Sequence, residues 1–136
     1  MQWCEANKID MVVVGPENPL ANGLVDELNA HNVPVFGPRR AAAQLEASKH
    51  FAKNFMERHH IPTARWKSFA KTRDAKNFIK TAPFRALVVK ASGLAAGKGV
   101  IVALDVEEAC EAVDMISQSF TDASETIIVE EVLEGK

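Results

Sequence analysis

The segment Val88-Val89-Lys90-Ala91-Ser92-Gly93-Leu94-Ala95-Ala96-Gly97-Lys98-Gly99-Val100-Ile101-Val102 constrains this chain more than any other. Apolar, largely β-branched runs on either side read as strands. The seven residues from Gly93 to Gly99 hold three glycines, which let the backbone approach an anion closely and turn consecutive amides toward phosphate oxygens. A plain hairpin turn is the ordinary alternative, but hairpin loops run to roughly 2–5 residues, and longer loops more often carry function. A P-loop is excluded: three residues, not four, separate Gly93 from Gly97-Lys98, and Gly99 stands where a metal-binding hydroxyl belongs. A dinucleotide fingerprint is excluded as well, because a strand follows the glycines where a helix is needed. The pattern that remains is a glycine flap between two strands, as covers the phosphates in protein kinases, although no kinase catalytic-loop sequence accompanies it. Lys90 ends an apolar strand beside this loop. An ammonium there is unusual unless it faces a cleft, where an ATP phosphate would satisfy it, since desolvating an unpaired charge costs several kcal/mol; an edge lysine leaning into solvent is the ordinary alternative.

The rest of the chain reads as α/β. Met11 to Val14 is a short strand closed by Gly15-Pro16, Leu20, Leu24, Val25 and Leu28 recur at helical spacing, and Val33 to Phe36 is a second strand closed by Gly37-Pro38. Two strands seldom form an independent layer, so a larger parallel sheet is expected to include them. Residues 39–60 are helical, with Ser48 as a cap, Phe51, Ala52, Phe55 and Met56 on one side, and Lys49 and Lys53 flanking that side. Pro62 ends this stretch. Thr72 is placed to cap a helix with Ala75, Phe78, Ile79 and Ala82 inward. Asp105 or Glu107 opens another, with Val106, Ala109, Val113 and Ile116 inward. Three strands, 86–90, 99–103 and 126–132, complete a small sheet beneath these helices. The last of them ends in Glu130-Glu131-Val132-Leu133, a strand end able to offer backbone groups and a carboxylate to an adenine edge; a solvated terminus is the ordinary alternative.

Composition narrows the partner class. Sixteen basic against eighteen acidic residues give a formal charge of −2, which argues against nucleic acid. Cys4 and Cys110 have no Cys or His at ligand spacing, so neither zinc nor a disulfide framework is signalled. No apolar run approaches the ~20 residues that span a bilayer, and the start lacks the features of a signal peptide, so a cytoplasmic protein without a membrane partner is expected. His31, His59 and His60 have no nucleophile or acid at suggestive spacing.

Together, Val14-Gly15-Pro16-Glu17-Asn18-Pro19-Leu20, Phe36-Gly37-Pro38, Ala43-Gln44-Leu45-Glu46-Ala47-Ser48-Lys49, Ile61-Pro62-Thr63-Ala64 and the glycine segment from Lys90 to Val100 resemble phosphoribosylamine-glycine ligase, also called glycinamide ribonucleotide synthetase. This is an ATP-grasp family of purine synthesis. Ser92, where many bacterial members carry Asp, is closer to the eukaryotic form fused to two further purine-pathway activities. The resemblance implies a Rossmann-like (pre-ATP-grasp) parallel-sheet end over residues 1–38, connecting helices over 39–63, and an α+β ATP-grasp lid subdomain over 64–136. It implies an enzyme that phosphorylates the glycine carboxylate with ATP and lets 5-phosphoribosylamine attack the acyl phosphate. Activation is needed because a carboxylate is a poor electrophile. By the same resemblance, Lys49 and Lys90 reach the nucleotide phosphates, and Gly93, Gly97, Lys98 and Gly99 belong to the flap above them. Glu130, Glu131, Val132 and Leu133 hold adenine, and Gly15, Pro16 and Glu17 face phosphoribosylamine.

Members of the family begin with further strands and continue into a segment carrying magnesium ligands. The chain is therefore expected to be an excerpt, inactive by itself, with Mg2+ bound outside it and the rest of the enzyme or fused purine-pathway domains as its partner. A non-catalytic ATP-binding module is the alternative, and another ATP-grasp carboxylate-amine ligase ranks behind it.

Overall fold

A computed structural model describes residues 2–93, 99–118 and 126–135 and divides into two compact units, 1–47 and 48–136. The stretch 39–63, expected as connecting helices, is shared between them.

In the first unit, α1 (Gln2–Ala6) precedes β1 (Val12–Val13), α2 (Glu17–Ala21), α3 (Leu24–Ala30), β2 (Val35–Phe36) and α4 (Arg40–Ala47). The two strands pair in parallel, Val12 opposite Val35 and Val13 opposite Phe36. The single helix suggested by Leu20 to Leu28 is two. Gly23 takes φ 89°, a left-handed conformation that glycine adopts without a Cβ penalty, and it redirects the chain between α2 and α3. Val14, Val25 and Leu28 form the small core, with Leu20, Leu24, Val12 and Val35 packed against it. The first turn of α4 is tied down by Asp26, whose Oδ2 accepts the Arg40 N–H at 2.7 Å.

The second unit runs α5 (Lys49–Arg58), β3 (Trp66–Phe69), α6 (Thr72–Thr81), β4 (Val88–Ala91), β5 (Val100–Val102), α7 (Val106–Gln118) and β6 (Ile127–Glu130). Its four strands lie in the order β3-β6-β4-β5, every neighbouring pair antiparallel. Strand side chains alternate between the two faces. Val89, Ala91, Ile127 and Val129 therefore enter one core with Ala75 and Ile79 of α6 and Ala109, Ala112, Val113 and Ile116 of α7. Val88, Lys90, Ile128 and Glu130 occupy the opposite face. The spacing 109, 112, 113, 116 is one helical face. Val106, expected inward, lies outside it and is exposed.

Capping fixes where α5 and α7 begin. The Ser48 hydroxyl accepts the Phe51 N–H. Asp105 and Glu108 brace the start of α7: Asp105 Oδ1 accepts the Glu108 N–H at 2.8 Å and Glu108 Oε2 accepts the Leu104 N–H at 2.7 Å. At α6 the expected Thr72 cap is displaced by one residue. Lys71 takes the cap position without a side-chain bond, and Thr72 is helical.

β3 was not anticipated. Trp66-Lys67-Ser68-Phe69 alternates poorly and earns its strand geometry from pairing, Trp66 opposite Glu130 and Phe69 opposite Ile127. Its entrance is held to the far end of β6. The Arg65 guanidinium makes a two-pronged bond with the Glu131 carboxylate, and the Glu131 N–H donates to the Arg65 carbonyl at 2.8 Å. Arg65 also stacks 4.4 Å over the Phe84 ring. The guanidinium holds the Glu131 carboxyl below its ordinary value, and the carboxylate raises Arg65 in return.

Two outcomes follow from this packing. Ile127→Ala should cost about 2–5 kcal/mol in urea unfolding, because Ile127 is 1% exposed between sheet and helices and cannot be replaced by water. Glu131→Gln should lower the melting temperature slightly near neutral pH. A depressed folded-state carboxyl stabilises above the unfolded value of about 4.3 and ceases to do so as pH falls through the lower folded value. The difference between the two proteins in thermal melts should thus vanish in acid and shrink in high salt.

Candidate functional site

The side chains with most chemical potential gather on the sheet face opposite α6 and α7. Lys90 of β4 and Glu130 of β6 sit on neighbouring strands, two residues out of register and so on one face. Lys90 Nζ lies 2.8 Å from Glu130 Oε1, and Lys53 Nζ of α5 lies 2.8 Å from Glu130 Oε2. The Lys53 and Glu130 side chains are 8% and 6% exposed, that of Lys90 23%. Lys53 also donates to Thr63 Oγ1 at 2.8 Å and to the Ala64 carbonyl at 3.4 Å. Lys90 approaches Oε1 off the direction that a hydrogen bond requires, so this buried oxygen is paired by charge and not by a hydrogen bond. Two ammonium groups around one carboxylate leave a net positive charge.

A second set of contacts fastens the start of α5 to the entrance of the glycine loop. The Ser92 carbonyl accepts the Lys49 N–H at 2.7 Å, and the Ser92 hydroxyl accepts the His50 N–H at 3.1 Å. Ser92 thereby satisfies two of the amide groups that a helix start leaves without intrahelical partners. Lys49 Nζ donates to the Gly93 carbonyl at 3.1 Å. The base of the loop is closed by the Ala91 N–H donating to Gly99 O at 2.7 Å and by the Ser92 N–H donating to Thr126 O at 3.0 Å.

Of the residues singled out from sequence, Lys90 and Glu130 come together, as do Lys49 and Gly93, while Gly99 is buried at the loop base. Gly97 and Lys98 lie outside the described residues. At the end of β6 the N–H groups of Glu131 and Val132 are taken by the carbonyls of Arg65 and Arg85, at 2.8 and 2.9 Å. The Glu131 carboxylate is taken by Arg65, and the Leu133 side chain is exposed. Gly15, Pro16 and Glu17 belong to the first unit, exposed where β1 gives way to α2. Pro16 caps α2 through its extended backbone, and a Cβ at Gly15 would meet no atom within 4 Å.

Sequence reasoning missed Lys53. Phe51, Ala52, Phe55 and Met56 suggested the inward side of α5, yet Lys53 is the buried residue of that helix and Phe51 is 37% exposed. The available signal was the spacing Lys49, Lys53, which puts two lysines on one stripe of the helix. Thr63 and Ser92 likewise gave no sign of their bonds. Among the described residues no group of three or more His, Cys, Asp or Glu side chains could hold a metal ion, and no helix is long and apolar enough to cross a membrane.

Comparison with known proteins agrees along the whole chain. Residues 1–46 match the family model "Phosphoribosylglycinamide synthetase, N domain", and residues 47–136 match "Phosphoribosylglycinamide synthetase, ATP-grasp (A) domain". The trifunctional purine biosynthetic protein adenosine-3 of Bos taurus is 61% identical over 137 residues, covering 99% of this chain and 14% of that protein. Phosphoribosylamine-glycine ligase of Pasteurella multocida is 48% identical over 138 residues, covering 98% of this chain and 32% of that enzyme. The crystal structure of phosphoribosylamine-glycine ligase from Thermotoga maritima superposes with a TM-score of 0.68 at 32% identity, over 93% of this chain and 30% of that one. The chain thus spans between 14% and 32% of the length of these relatives. On the match of both family models end to end, the chain belongs to the phosphoribosylglycinamide synthetase family, with the fold of ATP-grasp ligases.

Proposed function

We propose that this chain serves an ATP-dependent carboxylate-amine ligase of the cytoplasm that joins glycine to 5-phosphoribosylamine in purine synthesis. A glycine carboxylate oxygen attacks the γ-phosphorus of ATP, giving glycyl phosphate and ADP. The amine of 5-phosphoribosylamine then attacks the acyl carbon, phosphate leaves, the nitrogen loses a proton, and glycinamide ribonucleotide results. The names of the relatives supply the substrates; the site supplies a physical reason for the nucleotide.

The observation that carries this reading is the surplus cation beside the glycine loop. Lys53 and Lys90 share one buried carboxylate, and Lys90, the more exposed of the two, retains donors for an anion. A polyphosphate supplies the missing negative charge. In this reading Lys90 and Lys49 clamp the phosphates, where preorganised cations stabilise the charge that develops during transfer. Gly93, Gly97, Lys98 and Gly99 cover them. Glu130 Oε1 is an acceptor still lacking a hydrogen bond, suited to the exocyclic amino group of adenine. With the N–H groups of Glu131 and Val132 already used, the remaining contribution of residues 131–133 is carbonyl acceptance and apolar contact with the base.

Gly15, Pro16 and Glu17 are the proposed contacts of 5-phosphoribosylamine, on the strength of the family motif and of their position at the carboxyl end of a parallel strand, where ligands of such sheets bind. Magnesium, when bound, would neutralise phosphate charge. The described residues offer no cluster of ligands for it, so no step is assigned to it through this chain.

In the full-length protein, release of ADP should require glycine and 5-phosphoribosylamine together. ADP release indifferent to both would refute the ligase reading, and nucleotide binding without any turnover would favour a non-catalytic module. Lys90→Met should lower kcat/KM for ATP by about 10²-fold or more in steady-state kinetics, the usual loss when one preorganised donor to a developing charge is removed.

A further inference from the structure

We propose that Lys53 is a positioning residue for the nucleotide site: it is the standing counter-charge of Glu130 and thereby frees Lys90 to serve a phosphate. The inference rests on the nucleotide reading above and goes beyond it by giving the two lysines unequal tasks.

The inequality is geometric. An ammonium has three donors. Lys53 donates to Thr63 Oγ1 at 2.8 Å and to the Ala64 carbonyl at 3.4 Å, and is ion-paired with Glu130 Oε2 at 2.8 Å. With its side chain 8% exposed and two of its donors bonded to the 63–64 segment, Lys53 has no opening toward a ligand. It is held by Glu130 of β6 on one side and by the 63–64 segment on the other. Lys90 differs on each count. Its side chain is 23% exposed, and among the described residues its one partner is Glu130 Oε1 at 2.8 Å. It leaves Glu130 more cheaply than Lys53 does.

The electrostatic consequence follows. A carboxylate that is 6% exposed needs a counter-charge at all times, since an uncompensated buried charge is strongly destabilising. Were Lys90 its sole partner, recruiting Lys90 to a phosphate would strand Glu130, and that cost would be subtracted from nucleotide affinity. Lys53 removes the conflict by staying in place. It also holds the Glu130 carboxylate in one orientation, leaving Oε1 on the Lys90 side.

The test is a double-mutant cycle on ATP affinity in the full-length protein, read by isothermal titration, with KM for glycine measured alongside. Lys53→Met should weaken ATP binding about tenfold or more, as expected when one member of a buried ion pair is removed. The same substitution in a Glu130→Gln background should change affinity less than about twofold, because no carboxylate then needs neutralising. Lys53→Arg should recover most of the loss, and KM for glycine should not move. An equal loss in both backgrounds, or no loss in either, overturns the proposal and leaves Lys53 a general scaffold residue. Where Lys53→Met does not fold, Thr63→Val decides the matter by loosening the same ammonium. Weaker ATP binding only when Glu130 is intact supports the proposal, and an effect blind to residue 130 sinks it. A wild-type protein that binds no ATP would instead overturn the nucleotide reading itself, and this inference with it.

Discussion

Burial of the Glu130 carboxylate between two ammonium groups is the constraint on which the second unit depends. Glu130 lies at the end of β6, paired with β3 on one side and β4 on the other, and is 4% exposed. A carboxylate placed there must be compensated by groups already present in the fold. Lys90 arrives from the adjacent strand and Lys53 from a helix that is remote in sequence. The ion cluster therefore ties α5 to the sheet at a point where apolar packing would have given stronger cohesion without chemistry. Such an arrangement is a weak way to stabilise a protein and a good way to hold charge ready for a ligand.

Around that cluster the backbone is used as rigorously as the side chains. The start of α5 spends its Lys49 and His50 amides on the single residue Ser92, and the loop base is pinned at Ala91 and Ser92. Lys49 is thereby set against the loop entrance two residues beyond the end of the strand segment that carries Lys90. The two lysines reach the same loop by different routes, one along the strand and one across the helix start. On the opposite face, the apolar residues of β4 and β6 and the stripes of α6 and α7 make an ordinary core that keeps the strands in register. One sheet thus separates cohesion from chemistry, because successive side chains point to opposite faces.

Much of this was legible from local pattern. The glycine segment and its flanking strands, the Ser48 cap, the helix over 72–81 and the stop at Pro62 all follow from interactions a few residues apart. The failures share one physical cause. β3 carries a pattern too weak to declare itself and depends on its partner strand. Lys53 looks like a solvated helix lysine until β6 brings Glu130 beneath it. Glu131 and Val132 look like open hinge groups until Arg65 and Arg85 take their amides.

By itself, the sequence determined that this chain is an α/β protein with a glycine-rich segment between two strands, and its spaced motifs carried the family, because turn chemistry, periodicity and motif order are all written along the chain. Only the tertiary structure decided which lysines are paired, which carboxylate is buried and which amides are already spent. Those depend on distances between elements 37 to 77 residues apart, from Lys53 to Lys90 and to Glu130, and no local pattern encodes them.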